Sequence, residues 1–219
     1  MYSFAQRSDT VVADEPLYGH YLRVSGAAHP GRAEVLEVMD TDGDRVMRKF
    51  TAQTAEAPVL FMKHMAHHLI GLNTDFLART ANVLLIRDPR DMLPSLTRQL
   101  PQAGLDDTGL ARQHRLFDDI RAMGQAPPVL DAGRLLGNPR EALASLCDRL
   151  GIAFDSAMLQ WPAGAKPYDG VWSRHWYENV HRSTGFVADS SGRKAFPDRL
   201  RPLLEECRTH YDYLLSFVI

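Results

Sequence analysis

Arg87 and Ser95 are the residues whose types and spacing point most directly to chemistry. The stretch Val83-Leu84-Leu85-Ile86-Arg87-Asp88-Pro89-Arg90-Asp91-Met92-Leu93-Pro94-Ser95-Leu96 joins a buried-strand pattern to a helix start through a bare arginine. An apolar run that ends in Arg-Asp-Pro sets a cation where a parallel sheet receives its ligand. Asp88 suits a helix N-cap and Pro89 the first helical position, so the pattern predicts a helix beginning directly after Arg87. Ser95 then lies about two turns along, within about a quarter turn of the Arg87 direction. Guanidinium, hydroxyl and helix dipole all favour an anion, so the expected ligand is phosphorylated. A salt bridge from Arg87 to Asp88 or Asp91 is the competing structural use.

A second concentration of reactive side chains is Phe61-Met62-Lys63-His64-Met65-Ala66-His67-His68. It follows an apolar strand pattern at Val59, so Lys63 and the three imidazoles are expected to converge at the same sheet edge as Arg87. A lysine offers a compact charge to a transferring group, and a histidine can take the proton of an attacking hydroxyl. That is the equipment of group transfer. The competing use of three imidazoles is a metal site, but no Glu completes an H-E-x-x-H pattern and a lysine beside a cation is unhelpful. His67 and His68 could also serve only to satisfy backbone carbonyls.

The elements that must position these groups are short strands alternating with helices. Strands are expected at Thr10–Ala13, Val59–Met62, Asn82–Ile86 and Val129–Asp131, each followed by a helical stretch, which indicates a parallel, wound sheet. Asn138 can cap a helix from Pro139 to Leu150 that Gly151 ends. A last helix carries Leu200, Leu203, Leu204, Cys207, Tyr211 and Leu214, with Pro202 tolerable only in its first turn. Met1 to Arg7 is expected to be helical and to run into the Val11 strand, and the aromatic-rich stretch Trp161 to Phe186 to be a helix after a Pro/Gly loop. Neither G-x-x-x-x-G-K-[ST] nor G-x-G-x-x-G occurs, which weakens a kinase reading.

The 219 residues, 45% apolar and 24% charged, suffice for one domain with a full core. A net charge of -2 argues against a nucleic-acid coat and leaves basic character to local clusters. Cys147 and Cys207 fall at apolar helix positions, so no disulfide is expected. No apolar run approaches the length of a membrane span and no signal-peptide pattern opens the chain, so the expected setting is cytoplasmic.

These residues resemble those of the sulfotransferases that use 3′-phosphoadenosine 5′-phosphosulfate. In that family a strand ends in an arginine followed eight residues later by a serine, and the two hold the 3′-phosphate; Arg87 and Ser95 match in kind and spacing. Val129-Leu130-Asp131, Asn138-Pro139-Arg140-Glu141 and Leu150-Gly151 match a strand, an acidic residue and a helix opened by proline and closed by Leu-Gly. The family's catalytic lysine and histidine would fall on Lys63 and His64. One residue commonly separates that pair, so His67 and His68 stay open as the base.

The likeness is closer to a bacterial branch. Asp14-Glu15-Pro16-Leu17-Tyr18, Lys63 to Leu69, and Trp176-Tyr177 through Ser183-Thr184-Gly185-Phe186 carry it over nearly the whole chain. The resemblance implies a single α/β domain over 1–219, a P-loop NTPase-like wound parallel sheet flanked by helices. It also implies that the family's first strand and its Pro-Arg-x-x-Ser-Thr type phosphosulfate loop, about two dozen residues, are absent. Arg193 and Lys194 would stand in for the family's basic loop on the 3′-phosphate, a solvated charge pair being the alternative.

The implied activity is sulfuryl transfer from 3′-phosphoadenosine 5′-phosphosulfate to a hydroxyl or amine of a small acceptor, with no metal, nucleic acid or membrane involved. Tyr18, His20, Tyr21, Trp172 and Trp176 are candidates for the acceptor pocket. The alternative is a truncated, non-catalytic nucleotide-binding protein of the same fold, whose unpaired strand edge would make it marginally stable.

Overall fold

All four expected strands form, and they pair in parallel, two by two. The computed structural model describes residues 1–52, 57–187 and 195–219. The chain forms two compact units, one of Met1–Phe76 with Asp155–Phe186 and the other of Leu77–Phe154 with Val187–Ile219. The sheet is therefore not one continuous ladder among the described residues. Each unit holds its own two-stranded parallel pair.

In the first unit β1 (Thr10–Asp14) runs beside β2 (Val59–Lys63), in a register that sets Thr10 against Val59 and Asp14 against Lys63. The Glu15 N–H continues the ladder by donating to the Lys63 carbonyl at 2.9 Å. The chain then turns sharply, because Glu15 adopts φ 44°, the only positive φ outside glycine among the described residues. That left-handed conformation costs a side-chain-bearing residue about 1 to 3 kcal/mol and persists only where the surroundings enforce it. The turn delivers the helix Tyr18–Ser25, which Gly26 closes at φ 69°. Tyr18 and Leu22 from this helix pack with Val35 and Trp172 into a buried core.

Two expectations fail in this unit. Met1 to Arg7 contains only a single 3-10 turn, Phe4–Gln6, rather than a helix entering the strand. The segment is too short for a nucleated helix to gain from further turns, and Phe4 instead stacks on Phe61 with ring centroids 4.2 Å apart. Trp161 to Phe186 is not one helix but two short ones, Ser173–Trp176 and Glu178–Arg182, and Gln160 bridges back to Gly185. The aromatic side chains there are anchored by tertiary contacts, among them Trp161 Nε1 donating to Ser183 Oγ at 3.0 Å.

In the second unit β3 (Leu84–Ile86) pairs with β4 (Val129–Asp131). Leu84 and Ile86 point inward while Leu85 is exposed, so β3 alternates and is not buried on both faces. The Pro89–Gln99 helix starts where the sequence places it, and Pro139–Arg149 opens on Asn138 with its side chain accepting from the Glu141 N–H. Arg201–Leu215 begins with Pro202 in its first turn and sends Leu204, Cys207, Tyr211 and Leu214 into the core with Leu93 and Phe117.

Asp131 ties this unit together. One carboxylate oxygen caps the following helix by accepting from the Arg134 N–H at 2.9 Å, and the other accepts from the buried Tyr211 hydroxyl at 2.9 Å. Burial and the Asp131 charge keep that phenol protonated. Tyr211→Phe leaves a buried carboxylate oxygen without its donor. It should lower the free energy of unfolding by about 1 to 3 kcal/mol in urea titration, with little change in native circular dichroism.

Candidate active site

At the end of the β1–β2 pair, the parallel register brings a lysine against two carboxylates. Lys63 Nζ lies 3.5 Å from Asp14 Oδ1 and donates to Tyr177 OH at 2.6 Å, and it makes a close ion pair with Glu15. The Tyr177 hydroxyl in turn donates to Asp14 Oδ1 at 2.7 Å. Gly170 N–H donates to Asp14 Oδ2 at 3.2 Å, so both oxygens of that side chain have partners. The side chains of Asp14 and Glu15 are 1% and 9% exposed, against 29% for Lys63, so the anions are the buried members and the cation faces outward.

Burial pushes the Glu15 carboxyl above its ordinary range, opposed by the Lys63 ammonium. Tyr177 is held protonated by burial and by the Glu15 and Asp14 charges, which is why its hydroxyl acts as a donor to Asp14. The strained turn at Glu15 is what directs its carboxylate back to Lys63 one strand away.

His64 follows directly. Both of its ring nitrogens are screened from solvent and neither has a hydrogen-bond partner among the described residues. Burial, then the neighbouring Lys63 charge, lowers its pKa to about 4. At neutral pH it is an uncharged imidazole with a free lone pair, the state a proton acceptor needs. An unpartnered buried nitrogen costs about 1 to 3 kcal/mol, so this ring is kept at a cost that a bound partner could recover.

His67 and His68 stand differently. His68 is buried and stacks on Tyr18 and Tyr21, with centroids 5.1 and 5.0 Å apart. Its Nε2 is 3.9 Å from Glu15 Oε2, and its pKa lies well below the ordinary value because of burial and the neighbouring histidines. His67 packs on Tyr21 at 4.8 Å. The segment Ala66–Leu69 is a 3-10 turn, so the three imidazoles do not line one α-helical face. Among the described residues, no group of three or more His, Cys, Asp or Glu side chains is arranged to hold a metal ion.

Of the acceptor-pocket candidates, Tyr18 and Trp172 are core residues, while Tyr21 and Trp176 border them half-buried. Burial, with the Glu15 charge, pushes the Tyr18 phenol up to about 12. His20 is structural. Its Nδ1 accepts from the Gly43 N–H at 3.3 Å, which fixes the proton on Nε2 for the Ile70 carbonyl at 2.8 Å.

In the second unit Arg87 is exposed at the end of β3, and among the described residues its guanidinium makes no ion pair. The competing salt bridge to Asp88 or Asp91 is not formed among the described residues. Ser95 is half-buried on the helix that follows. The helix start does not itself offer free amides. The Arg90 N–H is taken by the Asp88 side chain at 2.8 Å, and those of Asp91 and Met92 by the Asp88 carbonyl at 3.0 Å each. An anion at this helix start would therefore meet no free backbone donor at Arg90, Asp91 or Met92. Arg193 and Lys194 lie outside the described residues.

Sequence reasoning missed Asp14, Glu15 and Tyr177 as parts of a site. Their signal was two acids closing an apolar strand immediately before a proline, and a tyrosine far along the chain whose partner no spacing reveals.

Comparison with known proteins agrees over nearly the whole length. The sulfotransferase domain family matches residues 1–211. Two curated Arabidopsis thaliana proteins, branched-chain-amino-acid aminotransferase-like proteins 1 and 2, are 39% and 37% identical over 100% and 98% of this chain. The chain spans 39% and 38% of their lengths. A solved sulfotransferase domain from the curacin biosynthetic pathway aligns with 90% of this chain and 78% of its own, at 13% identity and a TM-score of 0.44. No helix among the described residues is long and apolar enough to cross a membrane. With the family matched from its first residue to Tyr211, this chain belongs to the sulfotransferase domain family.

Proposed function

We propose that this chain catalyses transfer of a sulfuryl group from 3′-phosphoadenosine 5′-phosphosulfate to a hydroxyl or amine of a small acceptor. The observation that carries the reading is His64, neutral and with both nitrogens unpartnered among the described residues, next to an ammonium already fixed by Asp14, Glu15 and Tyr177. When bound, the donor supplies an activated sulfuryl group. The chain's residues fit such a group in two ways: orphaned imidazole nitrogens for an exchangeable proton, and an exposed arginine without an ion pair among the described residues for a phosphate.

His64 accepts the acceptor's proton as that oxygen or nitrogen attacks. Lys63 places positive charge where the leaving oxygen gains negative charge. Arg87 and Ser95 would hold the donor's 3′-phosphate, the guanidinium and the hydroxyl both being donors to phosphate oxygens. Arg193 and Lys194 are assigned to the same phosphate. A P-loop NTPase-like wound fold goes with this reading, and the parallel pairing with strand followed by helix within each unit supports it.

Calorimetric titration with 3′,5′-diphosphoadenosine tests the assignment. Binding should weaken by about tenfold or more in Arg87→Ala, as expected for loss of a charge-assisted phosphate contact, while ATP binds weakly to both. Unchanged affinity in the variant would remove Arg87 from the site. Tight binding with no transfer to any acceptor would favour a nucleotide-binding protein instead.

The base is tested by pH. His64 titrates at about 4 in the folded chain against an ordinary value of 6.5, so kcat/KM should stay level on acidification through 6.5 and fall only towards 4. A midpoint near 6.5 would point to a solvated imidazole elsewhere. Stability follows the same shift. Between 6.5 and about 4 the unfolded chain takes up a proton that the folded His64 refuses, so the protein loses stability as pH falls across that window, and His64→Asn should flatten the loss.

A further inference from the structure

We infer that Tyr177 is a positioning residue that acts through Lys63 by keeping Asp14 from closing on the ammonium. The inference rests on the proposed role of Lys63 and adds a component supplied by a segment distant in sequence. An ammonium has three N–H bonds to place. One goes to Glu15, one to the Tyr177 oxygen at 2.6 Å, and the third faces Asp14 Oδ1 at 3.5 Å, beyond a strong charge-assisted bond. Of the three, the Asp14 contact is the one that can be exchanged for a ligand oxygen at least loss.

That contact is long even though Asp14 and Lys63 are register partners of opposite charge at the end of adjacent strands. The reason lies in the tyrosine. Its own proton goes to the same Asp14 Oδ1, at 2.7 Å, and Gly170 N–H occupies Oδ2, so the carboxylate is satisfied without the lysine. Tyr177 therefore accepts from the cation and donates to the anion, standing between them.

The segment that carries these two contacts is firmly seated. Gly170 cannot take a side chain, because a Cβ there would meet the Trp172 ring at 2.1 Å, and Trp172 packs edge-on against Tyr18 with centroids 5.0 Å apart. The Tyr177 N–H donates to the Ser173 carbonyl at 2.7 Å, which sets the tyrosine at the end of that short helix. Position is thus imposed on Lys63 from residues 170–177, not from its own strand alone.

Without the hydroxyl, Asp14 Oδ1 lacks its donor and the ammonium is drawn in to replace it. The variants Tyr177→Phe, Asp14→Asn and the double variant separate this from a packing role. Tyr177→Phe should lower kcat about 10- to 100-fold with KM for the sulfuryl donor little changed, since a misplaced charge acts on the reacting state more than on binding. Asp14→Asn in the same chain should restore part of that loss, because a neutral amide no longer pulls the cation. A packing defect would not be repaired by a second change in the site.

Acylation of Lys63 by acetic anhydride, followed by peptide mass spectrometry, gives a readout that needs no turnover. Labelling should slow severalfold in Tyr177→Phe and recover in the double variant. If labelling behaves this way in a protein that transfers no sulfuryl group, the positioning stands and the functional reading falls. Unchanged labelling and unchanged kcat in Tyr177→Phe, or a double variant as impaired as the single one, would overturn the inference.

Discussion

The first unit is organised around an imbalance of charge: two buried carboxylates, Asp14 and Glu15, facing one ammonium, Lys63. A buried anion must be paired or hydrogen-bonded, and removing the partner of such a group costs about 3 to 5 kcal/mol. Each unusual feature nearby answers that demand. Glu15 accepts a strained backbone to reach the lysine, Tyr177 keeps its proton and gives it to Asp14, and Gly170 brings a backbone N–H where a side chain would not fit. Lys63 is thus part of the fold before it is part of any chemistry. Loss of activity on removing it would not by itself distinguish the two.

The same arrangement sets the condition of the histidines. Burial opposes a positive charge on His64, and the Lys63 ammonium beside it adds to that, so His64 stays neutral far below the pH at which an ordinary imidazole charges. As the proposed base, such an imidazole is always available but holds a proton weakly. It suits a reaction in which the proton moves late, together with a leaving group whose own charge is being neutralised, more than one that needs a fully formed alkoxide. His68, packed against Tyr18 and Tyr21 and near Glu15, shares the lowered pKa, but of its ring nitrogens only Nδ1 is buried without a hydrogen-bond partner among the described residues.

Much of the fold was legible because its signals are local. Val129–Asp131 and the caps at Asp88 and Asn138 depend on neighbours within four residues, and the structure has them where the patterns put them. Lys63 and His64 could be singled out for the same reason, as chemistry-bearing residues at the end of an apolar run. The pairing of Lys63 with Asp14, 49 residues away, and with Tyr177, 114 residues away, was not legible, because spacing is silent about strand register and about where a returning segment docks. Met1 to Arg7 shows the converse error: its local pattern suits a helix, yet a stacking contact of Phe4 with β2 and the start of β1 leave room for one turn only.

The two candidate binding regions differ in physical kind, and this bears on how each would bind. Around Lys63 the groups are already bonded to one another, with the carboxylates buried and the ammonium partly exposed, so a ligand must exchange existing contacts and gains from preorganisation. Arg87 is exposed and lacks an ion pair among the described residues, and the amides beside it are consumed by Asp88. Fixing a free arginine side chain costs up to about 2 kcal/mol of conformational entropy, which a phosphate must repay through charge. Attraction between exposed charges is screened within about 8 to 10 Å at physiological salt. Affinity for a phosphate proposed to bind at Arg87 should therefore fall with ionic strength, while His64, kept neutral mainly by burial, should respond to salt far less.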